Sequence, residues 1–499
     1  MGKICADLER AQLGLLTLMG DQFKPSRLLR PMVPAFAHAR LGDHLETGLS
    51  MADAIFDGKD ERSQSLRTAL IAFSIRIVSA FIAFISQVLM ARWLGSHEYG
   101  IFVWVWVAAI IFGGLSCVGF PSAVVKFIPQ YLVEKNVNAL RGLILGSRVT
   151  STLVATLIAV VGIVAAYALD GQFSSIYTIP IIMAAICLPL LALSDVQNGV
   201  ARAFSWADLA FSPTYLVRPV LILIFMIAAL WFGMAATAAT ALTAAIVATW
   251  VTTIVQTWVM NRRLRKTVPA GSKTITMGTW ILVALPIFLV EGFFALLTNV
   301  DIMIVGLYMA PQDVGIYFAA VKTLALVHFV YFAVKAGAAH HFSKYFTEGD
   351  TQRFDAFVRD TVKWTFWPSL LMAIVILVAG KILLSLFGEE FTAGYPLMFI
   401  LAAGIVARAA VGPAEAVLTM SGNQNVCAAL YGVSLTVNVL LNISLIPLYG
   451  LYGAAIATTI TMMFEATSLY AITLRRLGIH MFIFSKVSYA ASPSREAEV

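Results

Sequence analysis

The chain consists of long apolar runs separated by short polar connections. Twelve such runs lie near 66–93, 98–120, 142–168, 176–198, 210–231, 235–259, 277–300, 312–337, 364–386, 396–418, 426–447 and 451–473. A run of about 20 apolar residues is long enough for one helix to cross the hydrocarbon core of a bilayer. The pattern therefore predicts an all-α integral membrane protein of about twelve transmembrane helices, with little chain left for anything else.

Composition agrees with that pattern and excludes a soluble enzyme. The 499 residues are 60% hydrophobic and only 12% charged, whereas soluble domains have about 45–50% apolar and about 25% charged residues. The four cysteines lie too far apart for a zinc cluster, and three of them fall in apolar runs. We expect no metal and no cofactor.

The basic residues predict the orientation in the membrane. None of the 34 Lys and Arg residues lies in the connections near 94–97, 169–175, 232–234, 301–311, 387–395 or 448–450, and the alternate connections contain most of them. Cytoplasmic connections of membrane proteins are rich in Lys and Arg. Both termini are therefore predicted to be cytoplasmic.

The chain also repeats itself. With a shift of 215 residues, Trp93–Phe102 aligns with Tyr308–Tyr317, and with a shift of 218 residues Ala235–Thr240 aligns with Gly453–Thr458. Six helices per repeat is an even number, so both halves enter the membrane from the same side. We expect two parallel-related six-helix lobes around a central cavity, an arrangement typical of transporters, although a duplicated scaffold or channel would show the same repeat.

The predicted domain organisation follows from these patterns. It comprises a cytoplasmic N-terminal extension at 1–62, an N-terminal lobe at 63–260, a basic cytoplasmic linker at 261–276, a C-terminal lobe at 277–475 and a cytoplasmic tail at 476–499. The polar, proline-interrupted extension has two interpretations. It is either a poorly ordered segment of unknown role or a leader that precedes a natural start at Met51.

Ionisable residues deep in the spans are the candidate site. Such residues are costly in a bilayer and normally face a watery cavity or one another. The predicted cavity cations are Arg76, Lys322 and Arg408, which lie near mid-depth, and Arg148 and Arg218, which lie in the inner third. The predicted gating or ion-coupling acids are Glu291, Asp301 and Glu465. Because Arg suits phosphate with its bidentate fork, this excess of cations indicates an anionic headgroup as cargo.

Three further patterns have two interpretations each. Under the 215-residue shift Arg76 aligns with Glu291, so the two could pair across the cleft in one conformation, or form a static pair. Ser434, Asn438 and Asn442 form one polar stripe on a helix, which either lines a sugar path or ties helices together. Lys335, Lys381 and Glu415 lie near span ends, where side chains can reach the interface and act as anchors.

Several motifs are absent from the sequence. There is no GxxxxGK[ST] phosphate loop and no HExxH, so nothing indicates an ATP motor or a zinc hydrolase. No outward connection is long enough for a catalytic domain. We expect a transporter and not an enzyme, with no nucleic-acid partner.

Specific segments resemble a known family. Ala91–Gly100 (ARWLGSHEYG) and Gly119–Ala123 (GFPSA) look like the first two helices of the polysaccharide-repeat flippases, which belong to the multidrug/oligosaccharidyl-lipid/polysaccharide exporter superfamily. The other similar segments are Asn299–Gly306 (NVDIMIVG), Val314–Tyr317 (VGIY), Phe387–Phe391 (FGEEF) and Leu441–Thr458 (LNISLIPLYGLYGAAIAT). The resemblance covers residues 66 to 475.

The resemblance implies an inner-membrane protein of bacteria that moves a polyprenyl-diphosphate-linked oligosaccharide repeat to the periplasmic leaflet by alternating access. Exopolysaccharide or O-antigen biosynthesis is the expected pathway, with a polysaccharide polymerase and co-polymerase as partners. Two alternatives remain. One is a cation-coupled multidrug or small-metabolite exporter on the same scaffold. The other is a membrane-embedded polysaccharide polymerase or ligase, which would be expected to have a large outward loop with catalytic Arg or His.

Overall fold

The computed structural model describes residues 61–168, 176–348 and 351–485, with backbone only at 61–77 and at several positions between 336 and 352. These ranges contain helices and no strand, which confirms the predicted all-α fold. The described residues belong to two compact units, one ending at Val78 and the other beginning at Ser79. The side-chain contacts that form the site lie within the second unit.

The described residues of the first half form seven α-helices and one π-helical turn. They are α1 (Glu61–Ser116), α2 (Phe120–Val133), α3 (Val137–Ala168), α4 (Thr178–Ala203), α5 (Ala207–Ser212), the π turn Pro213–Val217, α6 (Arg218–Trp231) and α7 (Ala238–Thr267).

The described residues of the second half form nine α-helices and two short 3₁₀ segments. They are α8 (Met277–Leu297), α9 (Val300–Tyr308), α10 (Pro311–Leu324), the 3₁₀ turn Ala325–Val327, α11 (His328–Glu348), α12 (Thr351–Ser385), the 3₁₀ segment Glu389–Gly394, α13 (Tyr395–Ala409), α14 (Ala414–Met420), α15 (Gln424–Tyr449) and α16 (Leu451–Leu477).

Eleven helical segments in the described ranges are long and apolar enough to cross a membrane. The difference from the predicted twelve arises at the start of the chain, where α1 is two helices that meet at Gly95, whose φ of 72° and ψ of 170° are not helical. Counted separately, these two helices correspond to the predicted spans near 66–93 and 98–120 and bring the number to twelve. A backbone this far from helical geometry is accessible to glycine without strain, so one residue makes the turn between them.

Small side chains set the close packing of the spans. In α7 the buried face includes Ala241, Ala244, Ala245 and Ala248, each at most 4% exposed, and this helix packs between α4 and α6. Membrane helices lack a hydrophobic drive between them and associate through close van der Waals contact, which small residues permit. The alanine content of this span therefore has a structural reason.

The two halves contact each other at several levels. One contact region lies where the connections contain no Lys or Arg, called the non-basic end below; toward the opposite, basic end Trp280 Nε1 donates a 2.9 Å hydrogen bond to the Tyr131 hydroxyl. At the non-basic end, Glu390 accepts hydrogen bonds from the Ser96 backbone N–H at 3.1 Å and from Ser96 Oγ at 2.5 Å. His97 Nδ1 lies 3.2 Å from Gln312 Oε1. Arg92 Nε donates to the Leu386 carbonyl oxygen at 2.5 Å. The non-basic end is therefore closed by polar contacts between the halves.

Candidate functional site

Four charged side chains of the second half form one ion-pair cluster. Arg408 Nε lies 2.8 Å from a carboxylate oxygen of Glu465 in α16, and Arg408 Nη2 pairs with Glu415 in α14. Lys335 Nζ of α11 lies 2.6 Å from the other oxygen of Glu415. The side chains of Arg408, Glu415 and Glu465 are only 13%, 10% and 12% exposed. The cluster thus balances two positive and two negative charges where an unpaired charge would be very costly.

A break in the tenth predicted span positions this cluster. Helix α13 ends at Ala409 and α14 begins at Ala414. Between them Gly412 adopts a φ of 58°, a conformation that favours glycine, and Pro413 has no N–H to continue the helical ladder. Arg408 Nη1 donates a hydrogen bond of 3.2 Å to the Gly412 carbonyl oxygen. The arginine therefore both satisfies the interrupted backbone and pairs with the acids, a combination typical of the broken helices of transporters.

An aromatic ring lies beside both cations of the cluster. The guanidinium carbon of Arg408 is 5.4 Å from the ring centroid of Tyr331, and Lys335 Nζ is 6.0 Å from the same centroid. Cations within about 6 Å of a ring face are attracted by its quadrupole. Tyr331 therefore helps to hold Arg408 and Lys335 at one level of the second half.

Lys322 and His328 extend the basic groups toward mid-bilayer. Lys322 Nζ lies 5.0 Å from the ring centroid of Phe318, and within the described part of the chain it makes no hydrogen bond or ion pair. His328 follows the 3₁₀ turn and interacts electrostatically with both Lys322 and Arg408. We call the group formed by Lys322, His328, Arg408 and Lys335 the basic column.

The basic column covers much of the bilayer depth. Lys322 lies eleven residues after Pro311 at the non-basic end, which is about 16 Å along the helix, and Lys335 lies about 36 Å along it at the usual 1.5 Å rise. The hydrocarbon core is about 30 Å thick. The column therefore runs from the middle of the membrane to the level of the headgroups at the basic end.

Asp301 is a buried acid near the non-basic end of the second half. It accepts a hydrogen bond of 2.8 Å from the Tyr317 hydroxyl, one of 3.3 Å from Thr458 Oγ1 and one of 2.9 Å from the Ile302 N–H. Lys322 is within its electrostatic range. The structure thus brings two predicted site residues, Asp301 and Lys322, near each other without a direct ion pair.

Arg218 lies in a separate polar network of the first half. Its Nη2 donates to Ser194 Oγ at 3.2 Å, and Ser194 Oγ donates to Gln256 Oε1 at 2.9 Å. Arg218 is 7% exposed, its Nε has no partner within the described residues, and Asp195 is within its electrostatic range. The π turn that precedes Arg218 is a feature often found at functional sites.

Arg148 lies elsewhere in the first half. Its Nη1 donates a 2.7 Å hydrogen bond to Asn261 Oδ1 of α7, and its buried Nε and Nη2 have no partner in the ranges that the structure describes. The predicted cations therefore occupy several places: Lys322 and Arg408 share the basic column, whereas Arg148 and Arg218 lie among the helices of the first half.

Glu291 lies where the halves meet within the membrane. Its carboxylate accepts a hydrogen bond from Ser122 Oγ of α2, and its side chain is exposed although it is in the middle of α8. An exposed carboxylate at this depth must face a watery cavity or a partner. The side chain of Arg76 lies outside the described residues, so the pairing of Arg76 with Glu291 stays a prediction.

The polar stripe of α15 is buried. Ser434, Asn438 and Asn442 are at most 1% exposed, and Asn438 Nδ2 donates a 3.2 Å hydrogen bond to Thr461 Oγ1 of α16. Asn442 Nδ2 donates to the Asn438 side chain and carbonyl at 2.9 Å. Of the stripe, Asn438 joins α15 to α16, whereas Ser434 Oγ and Asn442 Oδ1 have no hydrogen-bond partner among the described residues. The choice between the two interpretations of the stripe stays a prediction.

Sequence reasoning missed several residues of the site. The anchoring interpretation of Glu415 is wrong, because Glu415 is buried and pairs with both Arg408 and Lys335. For Lys335, which is 37% exposed and lies near headgroup level, it stays a prediction. The seven-residue spacing from Arg408 to Glu415 gave no usable signal, because the helix breaks between them at Gly412 and Pro413. His328 and Glu390 gave no signal either, because their partners come from distant parts of the chain.

Fold and site together define a polytopic helical transporter with two related halves. The sequence model described as polysaccharide biosynthesis protein matches residues 65–339. The chain belongs to this family. The model described as MatE matches residues 286–444, and the predicted relation to polysaccharide-repeat flippases of the exporter superfamily is confirmed.

Known proteins extend this comparison. A Haloferax volcanii protein described as "Probable low-salt glycan biosynthesis flippase Agl15" is 24% identical over 202 residues, which are 39% of this chain and 41% of the relative. The chain thus aligns with less than half of that relative's length.

Three solved structures share the fold, each with 15% identity. An inward-facing multidrug resistance MATE family transporter has a TM-score of 0.66 and covers 82% of this chain and 98% of its own. The lipid II flippase MurJ, in an inward closed conformation, has a TM-score of 0.62 and covers 81% and 87%. A transporter from Pyrococcus furiosus has a TM-score of 0.60 and covers 85% and 97%. The predicted two-lobe fold is thereby confirmed.

Proposed function

We propose that this protein moves a polyprenyl-diphosphate-linked oligosaccharide repeat from the cytoplasmic to the periplasmic leaflet of a bacterial inner membrane by alternating access. The observation that carries the proposal is the basic column. Three of its members, Lys322, Arg408 and Lys335, are cations on one side of the second half, and Lys322 makes no ion pair or hydrogen bond within the described residues. A diphosphate is the anionic group that such a column suits.

The orientation and the closed end support the direction of transport. The absence of Lys and Arg from the non-basic end favours a periplasmic location for that end and cytoplasmic termini. Glu390 and Ser96 close the same end. A transporter closed on the periplasmic side is ready to receive a substrate from the cytoplasmic leaflet.

Within this mechanism we assign the predicted site residues two roles. Lys322 and Arg408 contact the diphosphate, and the remaining predicted cations Arg76, Arg148 and Arg218 extend the positive potential of the cavity. Glu291, Asp301 and Glu465 are the candidate acids for gating or for coupling to an ion gradient. Among these acids Glu291 is the exposed one, so it is the acid that an ion in the cavity reaches first.

The proposed pathway is exopolysaccharide or O-antigen biosynthesis. Support comes from the family match over residues 65–339 and from the glycan flippase relative. A flipped repeat must next be joined to others, so a polysaccharide polymerase and co-polymerase are the partners we propose. The lipid-linked repeat itself is the substrate, and the protein acts as a transporter without catalysing a chemical step.

A cation-coupled multidrug or small-metabolite exporter is the second candidate. It is favoured by the MatE match over residues 286–444 and by the carboxylates Glu415 and Glu465, which neutralise the cations nearest to them. An organic cation would need those carboxylates free, whereas both are bound to Arg408 in this structure. The charge of the column that has no ion-pair partner among the described residues is that of Lys322, which suits an anion.

Thermal unfolding of the purified full chain separates the two candidates. We expect a polyprenyl-diphosphate sugar to raise the unfolding midpoint, and the matching polyprenyl alcohol and an organic cation such as ethidium to leave it unchanged. Lys322→Gln should weaken the diphosphate effect about tenfold or more, because a hydrogen bond to a charged group contributes about 1.5–3 kcal/mol.

Lys381→Gln is the matched control. Lys381 is exposed near the non-basic end of α12, so the same change of charge there should leave the affinity unaltered. Stabilisation by ethidium without stabilisation by the diphosphate sugar would favour the exporter and overturn the flippase.

A further inference from the structure

A pocket lies at the basic end of α7, away from the basic column. Its lining residues are Trp258, Val259, Arg262, Arg263 and Lys266. Positions four residues apart on a helix are neighbours on its surface, so Trp258, Arg262 and Lys266 form one continuous row that runs toward the helix end at Thr267. An aromatic ring is thus followed by two cations along the same face.

Two of the three cations in this pocket are not neutralised. Arg263 forms a two-fold hydrogen-bonded ion pair with Asp208, with distances of 3.0 and 2.5 Å. Arg262 and Lys266 have neither a hydrogen bond nor an ion pair in the described ranges; Arg262 lies 5.6 Å from the ring centroid of Trp258. The pocket therefore presents two free positive charges to whatever enters it.

The helix face below the pocket is apolar and exposed. Trp258 is 62% exposed, and the preceding turns present Val251, Ile254 and Val255 at 39%, 57% and 53% exposure. Large apolar side chains exposed along a membrane span face lipid acyl chains, and tryptophan is enriched at the membrane interface. Arg262 lies one turn beyond Trp258 and therefore at headgroup level.

We propose that this pocket binds an anionic phospholipid of the leaflet at the basic end, with its phosphate between Arg262 and Lys266 and its acyl chains along Val251, Ile254 and Val255. Basic pockets at this side of membrane proteins bind the headgroups of anionic lipids. The combination of two free cations, an interfacial tryptophan and an apolar face in line with them has the shape and polarity of such a lipid. The proposal does not depend on the identity of the transported substrate.

Native mass spectrometry of the purified full chain tests this assignment. Phosphatidylglycerol and phosphatidylcholine with identical acyl chains are added separately, and the population that retains one lipid is measured. We expect saturable retention of phosphatidylglycerol only. Arg262→Gln combined with Lys266→Gln should weaken it about 30-fold, since each basic residue near an anionic surface contributes about 1 kcal/mol.

The double variant Arg475→Gln with Arg476→Gln is the matched control. Both arginines are exposed at the basic end of α16, so this variant removes the same charge from the same end without altering the pocket. Equal loss of phosphatidylglycerol in both double variants would show a general charge effect and overturn the proposal.

Two competitors distinguish the sources of phosphate. Inorganic phosphate should not displace the bound phosphatidylglycerol, because it lacks the acyl chains that follow α7. Displacement by inorganic phosphate would instead indicate a site for a soluble anion. Displacement by a polyprenyl-diphosphate sugar at equal concentration would indicate an entry site for the transported substrate; either result would overturn the assignment. Lipid retention is measured by native mass spectrometry and not by polymer export. A negative result for the flippase proposal would therefore leave these competition experiments valid.

Discussion

His97 Nδ1 lies 3.2 Å from Gln312 Oε1, and the two residues are 215 positions apart in the chain. This is the same shift that aligns Trp93–Phe102 with Tyr308–Tyr317 in the sequence. Equivalent residues of two repeats can meet directly only close to the axis that relates the repeats. Gly100 and Gly315, also 215 apart, approach each other nearby. The axis of the internal duplication therefore passes through the closed non-basic end.

Cross-linking across this axis should lock the transporter. With His97→Cys and Gln312→Cys in one chain, a short bifunctional thiol reagent should join the two positions, because their present side chains touch end to end. Alternating access requires the halves to separate at this end, so the linked protein should lose polymer export. Export is measured in cells before and after cleavage of a reducible linker, which should restore it.

The single variants His97→Cys and Gln312→Cys are the controls for this experiment. The native Cys117, Cys187 and Cys427 are buried, and Cys5, which lies outside the described residues, is replaced by Ser in all variants. The reagent should therefore leave the single variants active. Full export by the cross-linked double variant would contradict the idea that the halves part at this end.

Glu390 should stabilise the closed state through Ser96. Glu390→Gln retains the shape of the side chain but removes the charge that accepts two hydrogen bonds from Ser96. Gln keeps one acceptor oxygen, so one of the two bonds is lost. At about 1.5 kcal/mol for a hydrogen bond to a charged acceptor, the population open at the non-basic end should rise about tenfold. The measurement is the labelling rate of Gln312→Cys by a membrane-impermeant maleimide.

Glu389→Gln provides the comparison for the same assay. Glu389 is the exposed neighbour of Glu390, and its side chain has no hydrogen bond to another described residue. Its substitution should leave the labelling rate unchanged. If maleimide labels Cys at position 312 equally fast in both variants and in the protein that carries only Gln312→Cys, Glu390 does not hold the halves together.

Gly100 allows the halves to approach. A Cβ at this position would overlap the carbonyl oxygen of Pro311, which belongs to the other half. Gly100→Ala should therefore disfavour the closed state and raise the labelling of Gln312→Cys. Gly114→Ala, at a position in the same helix with open space around it, should leave the labelling unaltered. Unchanged labelling of both variants would mean that the contact relaxes without opening the end.

Much of the fold follows from sequence, for identifiable physical reasons. In lipid, each spanning segment must form its backbone hydrogen bonds internally, so the length of an apolar run predicts most of the helices. The repeat around Gly100 and Gly315 predicts which segments of the two halves are equivalent. Individual bends are less accessible. At Gly95 a single residue with non-helical φ and ψ joins two helices; the apolar runs predict both spans but not how short the connection between them is.

The site was predicted less completely than the fold. Depth along a single helix is readable from residue position, which is why Lys322, Arg408 and Glu465 were identified as buried charges. Partners depend on how helices pack, and the pairing of Arg408 with Glu465 joins α13 to α16. Glu415 was misplaced because the break at Gly412 and Pro413 redirects the chain after Arg408.

The Arg408 cluster makes a prediction that separates folding from transport. Arg408→Met leaves Glu465 with no ion pair in the described structure, and removing one member of a buried pair costs about 3–5 kcal/mol, so the unfolding midpoint should fall markedly. Adding Glu465→Gln removes the orphaned charge and should recover much of that loss. Export should nevertheless stay low in the double variant, because the diphosphate still lacks a cation of the basic column. Both properties, the thermal unfolding midpoint and the polymer yield, are measured on the two single variants and on the double variant, which together form a double-mutant cycle. Recovery of export together with stability would show that Arg408 only ties α13 to α16, and would leave Lys322 and Lys335 as the cations available to the substrate.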